Sequence, residues 1–201
     1  MCEFVTQLYS GRSYSSEETI SFSKSPHTQY ADVDKEMQFH QNANYVIVSN
    51  LTQSEFDRFV LKYGNKYQSI YFFQNTQVTD LSALETLNNV EYLLFYNLRT
   101  AKSLWNMNKN SNLKGILISD CKKMCYDLSP LSSAPSLEEV LLFSSMNRKY
   151  TVKSLEPLKN CKNLKRAMIE CNTEDQLFAP NDFLHLDIFK YQVDKLCSNP
   201  F

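Results

Sequence analysis

The stretch Leu113-Lys114-Gly115-Ile116-Leu117-Ile118-Ser119-Asp120-Cys121 decides the reading of this chain, because its pattern returns five more times. Written as apolar-x-x-apolar-x-apolar-x-x-(Asn, Cys, Ser or Leu), it also covers residues 43–51, 67–75, 90–98, 137–145 and 164–172. The ninth positions, 51, 75, 98, 121, 145 and 172, are separated by 24, 23, 23, 24 and 27 residues. Within each segment, period-two alternation puts one apolar set on one face of a short strand. That set is Val46 and Val48, Ile70 and Phe72, Leu93 and Phe95, Ile116 and Ile118, Val140 and Leu142, and Ala167 and Ile169. One strand cannot bury such a face alone, whereas stacked strands make a continuous core.

The nine-residue pattern and its spacing resemble the leucine-rich repeat family, whose repeats run 20–29 residues with an L-x-x-L-x-L-x-x-N/C core. The likeness covers about 130 of the 201 residues, positions 43–172. It implies an α/β solenoid: a right-handed superhelix with a parallel sheet of about six strands, starting near 45, 69, 92, 115, 139 and 166. Short helices or 3-10 turns would occupy the convex side. At the ninth position Asn75 and Asn172 can bond neighbouring backbone, with Cys121 and Ser145 as smaller substitutes. Leu51 and Leu98 cannot, so the polar ladder reads as interrupted.

The return halves carry their own signals. Asp80-Leu81-Ser82-Ala83-Leu84, Asp127-Leu128-Ser129-Pro130-Leu131 and Ser154-Leu155-Glu156-Pro157-Leu158 each predict a capped short helix or 3-10 turn. These turns resemble the internalin-like repeat class. Thr52 with Glu55 three positions later predicts a capping box opening a longer helix to about Tyr63, with Phe56, Phe59, Val60 and Tyr63 on its apolar face. Residues 1–42 read as an N-terminal flanking or capping segment, with alternation at 3–9 and 19–22 and a short helix expected over 32–40. Residues 173–201 read as a C-terminal cap.

A net charge of −1 supplies no bulk field toward nucleic acid or membrane. No run reaches membrane-spanning length and no secretory leader is visible, so a cytoplasmic setting is expected. In that setting the six cysteines read as free thiols, Cys121 and Cys161 among them as small core residues. Cys121 and Cys125 lack zinc-ligand spacing, and His27, His40 and His185 are scattered. With three glycines and no catalytic signature the chain reads as non-enzymatic, without cofactor or metal.

Function is read from the other face of the strands. The fifth positions are Ile47, Tyr71, Leu94, Leu117, Leu141 and Met168, and the seventh include Phe73, Tyr96 and Phe143. The third run Tyr45, Ser69, Tyr92, Gly115, Glu139 and Arg166. An apolar stripe of this extent exceeds what a soluble monomer usually exposes, and aromatic residues are the usual anchors of interfaces. Tyr71, Phe73, Tyr92, Leu94, Tyr96, Leu117, Leu141 and Phe143 are therefore the expected contacts with a protein partner on a concave sheet. Residues 1–42 or the tail offer the alternative cover. A basic loop edge at Lys122, Lys123, Arg148 and Lys149 is a lesser candidate surface. A small stand-alone array is similar in organisation to bacterial immunity proteins, which implies a toxin as partner. A structural or regulatory subunit of a larger assembly is the alternative.

Overall fold

A computed structural model describes residues 19–23, 43–144, 150–175 and 180–191. Six strands occur where the nine-residue pattern places them: β2 (Tyr45–Ser49), β3 (Ser69–Phe73), β4 (Tyr92–Tyr96), β5 (Gly115–Ser119), β6 (Glu139–Phe143) and β8 (Arg166–Ile169). They pair in parallel, each strand beside the next repeat's strand, and the register keeps repeat positions aligned. Tyr45, Ser69, Tyr92, Gly115, Glu139 and Arg166 thus form one row across the sheet.

The sheet is wider than the expected six strands. β1 (Thr19–Ser23) pairs with β2 at one edge, and β10 (Ile188–Tyr191) pairs with β8 at the other, both in parallel. The order is β1-β2-β3-β4-β5-β6-β8-β10. Both flanking segments therefore contribute a strand to the array. Two-residue strands β7 (Thr151–Val152) and β9 (Asn172–Thr173) form a separate small ladder. The expectations for residues 3–9, 32–40 and 148–149 lie outside the described residues.

Helix α1 (Gln53–Tyr63) has both arms of the expected capping box. The Thr52 side chain accepts from the Glu55 N–H, and Glu55 Oε2 accepts from the Thr52 N–H at 2.8 Å. Its buried face is the expected Phe56, Phe59, Val60 and Tyr63. The other returns are 3-10 turns, Ser82–Thr86 and Ser129–Ser133, and one helical turn, α2 (Glu156–Lys159). Each is capped two residues upstream by a short polar side chain. Asp80 Oδ1 takes the Ser82 N–H at 2.9 Å, Asp127 Oδ1 the Ser129 N–H at 2.9 Å, and Ser154 Oγ the Glu156 N–H at 3.0 Å. The main core lies between these returns and the sheet, where Phe72 and Phe95 stack at 5.4 Å.

Asparagine explains much of how successive units are tied. Asn75 is fully buried; its Oδ1 accepts from Leu51 N–H at 2.8 Å and its Nδ2 donates to Val48 carbonyl at 2.8 Å. One unit pair further on, Cys121 Sγ accepts from Leu98 N–H at 3.3 Å and donates to Ser119 carbonyl at 3.1 Å. Leu51 and Leu98 carry no such side chain, so the polar side-chain ladder is interrupted at them, as expected. Their backbone N–H groups are what the next unit's polar side chain binds. Away from the sheet, Asn110 donates to the Leu84 and Leu87 carbonyls, both at 2.8 Å, and accepts from Trp105 Nε1. Asn65 takes the N–H groups of Asn88 and Asn89.

The eighth positions Asn50, Gln74, Asn97 and Asp120 all have positive φ, between 53° and 59°. This left-handed kink turns the chain out of β2, β3, β4 and β5. It also aims the N–H of residues 74, 97 and 120 at the neighbouring strand's Tyr96, Ser119 and Phe143 carbonyls. Asn and Asp tolerate that conformation best among residues with a side chain.

Candidate functional site

All eight residues expected to meet a partner fall on the sheet face away from the main core. The pleat puts third, fifth and seventh positions there, and the shared register brings equivalent residues side by side. Tyr71, Leu94, Leu117 and Leu141 lie in line across β3 to β6. Phe73 stacks on Tyr96 with ring centroids 5.2 Å apart and planes at 10°, and Tyr71 meets Phe73 edge-on at 5.7 Å. Tyr71 and Tyr92 pack against the leucines, together with Tyr45 and Met168.

Their accessibility divides the set. Tyr71, Phe73, Tyr92 and Tyr96 are half-buried. Leu94 at 1%, Leu117 and Leu141 at 5% each, and Phe143 at 2% are buried in the chain alone. These four form a second hydrophobic cluster, separate from the main core. Of these eight residues, the aromatic margin over β3 and β4 is therefore the part that solvent reaches. Burial, reinforced by Tyr96 and Cys121 nearby, pushes the Tyr71 phenol up to about 12.

The third-position row adds polar groups at the edge of the cluster. Glu139 is buried, and its Oε1 lies 3.8 Å from Arg166 Nε. Gly115 sits between Tyr92 and Glu139 in this row, and the Tyr92 ring leans over it. A Cβ at position 115 would stand 2.7 Å from Tyr92 Cδ1. Ser69 Oγ and Arg166 Nε are buried there without a hydrogen-bond partner. Sequence patterning placed these residues on the face but gave no sign that Ser69, Gly115 and Glu139 would be buried.

Chemistry elsewhere is sparse among the described residues. Cys121, Cys125, Cys161 and Cys171 are buried thiols. Burial raises the thiols of Cys121 to about 12 and of Cys161 to about 11, so neither is a thiolate at neutral pH. No group of three His, Cys, Asp or Glu side chains is placed to hold a metal ion among the described residues. A pocket on the return side is lined by Asp127, Ser129, Ser132, Lys153, Ser154 and Glu156, with no histidine or cysteine beside its serines. No described helix is long and apolar enough to cross a membrane. Of the basic loop edge, Lys122 and Lys123 are exposed.

A family model described as "Domain of unknown function (DUF4848)" matches residues 5–104, just under half of the chain. No curated protein matches the chain. Among solved structures, the chain is similar to an internalin (inlF) from Listeria monocytogenes, with 17% identity and a TM-score of 0.47. That match covers 79% of this chain and 50% of the internalin, so the chain spans about half the length of that protein. At this identity and score no role is carried over from it.

Proposed function

We propose that this chain is a non-catalytic protein-binding module: a leucine-rich-repeat-like, right-handed solenoid that meets its partner with the sheet face away from the core. The observation that supports the reading is the half-buried aromatic margin of Tyr71, Phe73, Tyr92 and Tyr96. Stacked rings on a rigid sheet lose little side-chain freedom on binding and offer large contact area, as anchors of interfaces do. Leu94, Leu117, Leu141 and Phe143 form the floor beneath and beside that margin.

The test is co-purification of the tagged full chain with its partner from the native host, followed by affinity measurement on the isolated pair. Tyr96→Ala and Phe73→Ala should each weaken binding by ~2 kcal/mol, roughly thirtyfold, with little change in melting temperature. Unchanged affinity in both variants would remove this face from the reading. The identity of the partner separates the two occupants. A toxin whose activity is lost in a defined complex fits an immunity protein, and a stable assembly retained through purification fits a structural or regulatory subunit.

A further inference from the structure

The return side carries a cleft whose hydrogen-bonding groups the fold leaves partly unused. It lies between the 3-10 turn Ser129–Ser133 and α2, encloses about 280 Å³ and is open to solvent. Backbone pairing brings its two charged walls together. The Lys153 N–H donates to the Tyr126 carbonyl at 2.7 Å, so Lys153 stands beside Asp127 where successive units meet. Both residues line the cleft, together with Pro157 of α2 and Asn160, which follows that helix.

Three of these groups keep bonding capacity. Asp127 accepts the N–H and the hydroxyl of Ser129 on one oxygen, Oδ1, which leaves Oδ2 open. Those two bonds, with the Lys153 charge nearby, hold its carboxyl below the usual range, so it is ionised at neutral pH. Lys114, Lys159 and Lys165 reach carboxylates at 3.0, 2.7 and 3.0 Å, whereas Lys153 makes no ion pair among the described residues. The exposed Asn160 side chain makes no hydrogen bond among the described residues either.

We propose that this cleft binds a neutral polyhydroxylated ligand, a sugar ring with adjacent hydroxyls. A hydroxyl is donor and acceptor at once, so one can donate to Asp127 Oδ2 while its neighbour accepts from Lys153 Nζ. Hydrogen bonds to charged partners are the strong ones. The opposite charges of Asp127 and Lys153 offset each other, as do Glu156 and Lys159 at 2.7 Å, which favours a neutral ligand over an ion. Asn160 adds a donor and an acceptor, and the half-buried Pro157 offers C–H surface to the flat side of a ring. Sites for drug-sized ligands run roughly 300–1,000 Å³ and are mostly apolar. This cleft is smaller and polar, which suits a sugar and not a lipid. It lies on the side of the array away from the aromatic margin, so it stands apart from the protein-binding reading.

The full chain is applied to a printed array of mono- and oligosaccharides, and a sugar that binds is titrated into isotope-labelled protein, with glycine and glutamate run beside it. The amide signals of Ser129, Lys153, Ser154 and Asn160 should move with the sugar alone. Lys153→Met and Asp127→Asn should each weaken binding roughly tenfold or more with circular dichroism unchanged. Lys109→Met, equally exposed but outside the cleft, should leave binding as it is. No sugar bound, binding that survives Lys153→Met, or signals moving only on the sheet face would overturn the proposal. Glycine or glutamate moving the cleft signals in place of sugar would overturn it too, since the ligand would then be a zwitterion. Each of these failures leaves the protein-binding reading standing, because no partner enters the experiment.

Discussion

Replacing Asn75 with alanine removes one side chain from the inside of the array and tests how its units are tied. The amide is fully buried and its two 2.8 Å bonds reach the Leu51 N–H and the Val48 carbonyl, 24 and 27 residues back along the chain. Alanine leaves both backbone groups out of reach of water and without a partner. Each such orphan costs ~1–3 kcal/mol, so the pair is worth about 3 kcal/mol before any contribution from the space left behind. Against a total stability of ~5–15 kcal/mol this is a large share, and at this chain length it lowers the melting temperature by roughly 6–12 °C. Urea unfolding followed by the fluorescence of Trp105, the single tryptophan and itself buried, reads the change directly. Asn112→Ala is the control, since its bond to the Asn88 carbonyl is exposed and its loss should stay within ~0.5 kcal/mol. A loss below about 1 kcal/mol for Asn75→Ala would refute the claim that this amide ties β2 to β3.

Gln74→Asn should raise stability by ~0.5–1 kcal/mol in the same assay, because residue 74 has φ 53° and is the one glutamine among four left-handed positions. Cys121, Cys125, Cys161 and Cys171 should stay unreactive toward an aromatic disulfide reagent in the native protein and react once urea unfolds it; four extra thiols are the expected count. Stability should fall as pH rises from about 9 toward 12. A Cys121 thiol near 12 when folded and 9.0 when unfolded keeps its proton only in the folded chain, so its contribution is complete below 9 and lost as pH passes through the folded value. Cys121→Ser, which keeps a donor and an acceptor at that position, should flatten the slope of the urea midpoint between pH 8 and 10.5. Gly115→Ala should displace the Tyr92 ring, since the added Cβ would stand 2.7 Å from it; an unaltered Tyr92 environment by aromatic NMR would contradict the packing described.

Periodicity made the array legible. The ninth-position spacing located six strands to the residue, since each Val46 or Ile116 has a partner one repeat away at the same place in the pattern. Local capping signals placed α1 and the 3-10 turns, because Thr52, Asp80 and Asp127 act within three residues of themselves. The abundance of asparagine carried no such message. Asn65, Asn75 and Asn110 act on residues 21 to 27 positions away, and nothing in their local sequence distinguishes them from the exposed Asn106 or Asn108. The same distance hid the role of Leu51 and Leu98, whose side chains suggested a gap while their backbone N–H groups served as the ladder's donors.

The candidate face shows where pattern reading stops for a different physical reason. Alternation fixes which way Leu94, Leu117 and Leu141 point, because a pleat has only two sides. It does not fix what lies above them, since a cover need not repeat with the array's period or pair with any strand. Composition held the only hint: Gly115 and Ser119 flank Leu117 with almost no side chain, which leaves room over β5 where β3 and β4 carry Tyr71, Phe73, Tyr92 and Tyr96. The leucines of the middle are buried, while the aromatic end keeps its rings in reach of solvent. Four of the eight expected contact residues are thus buried in the lone chain and the other four remain half-buried.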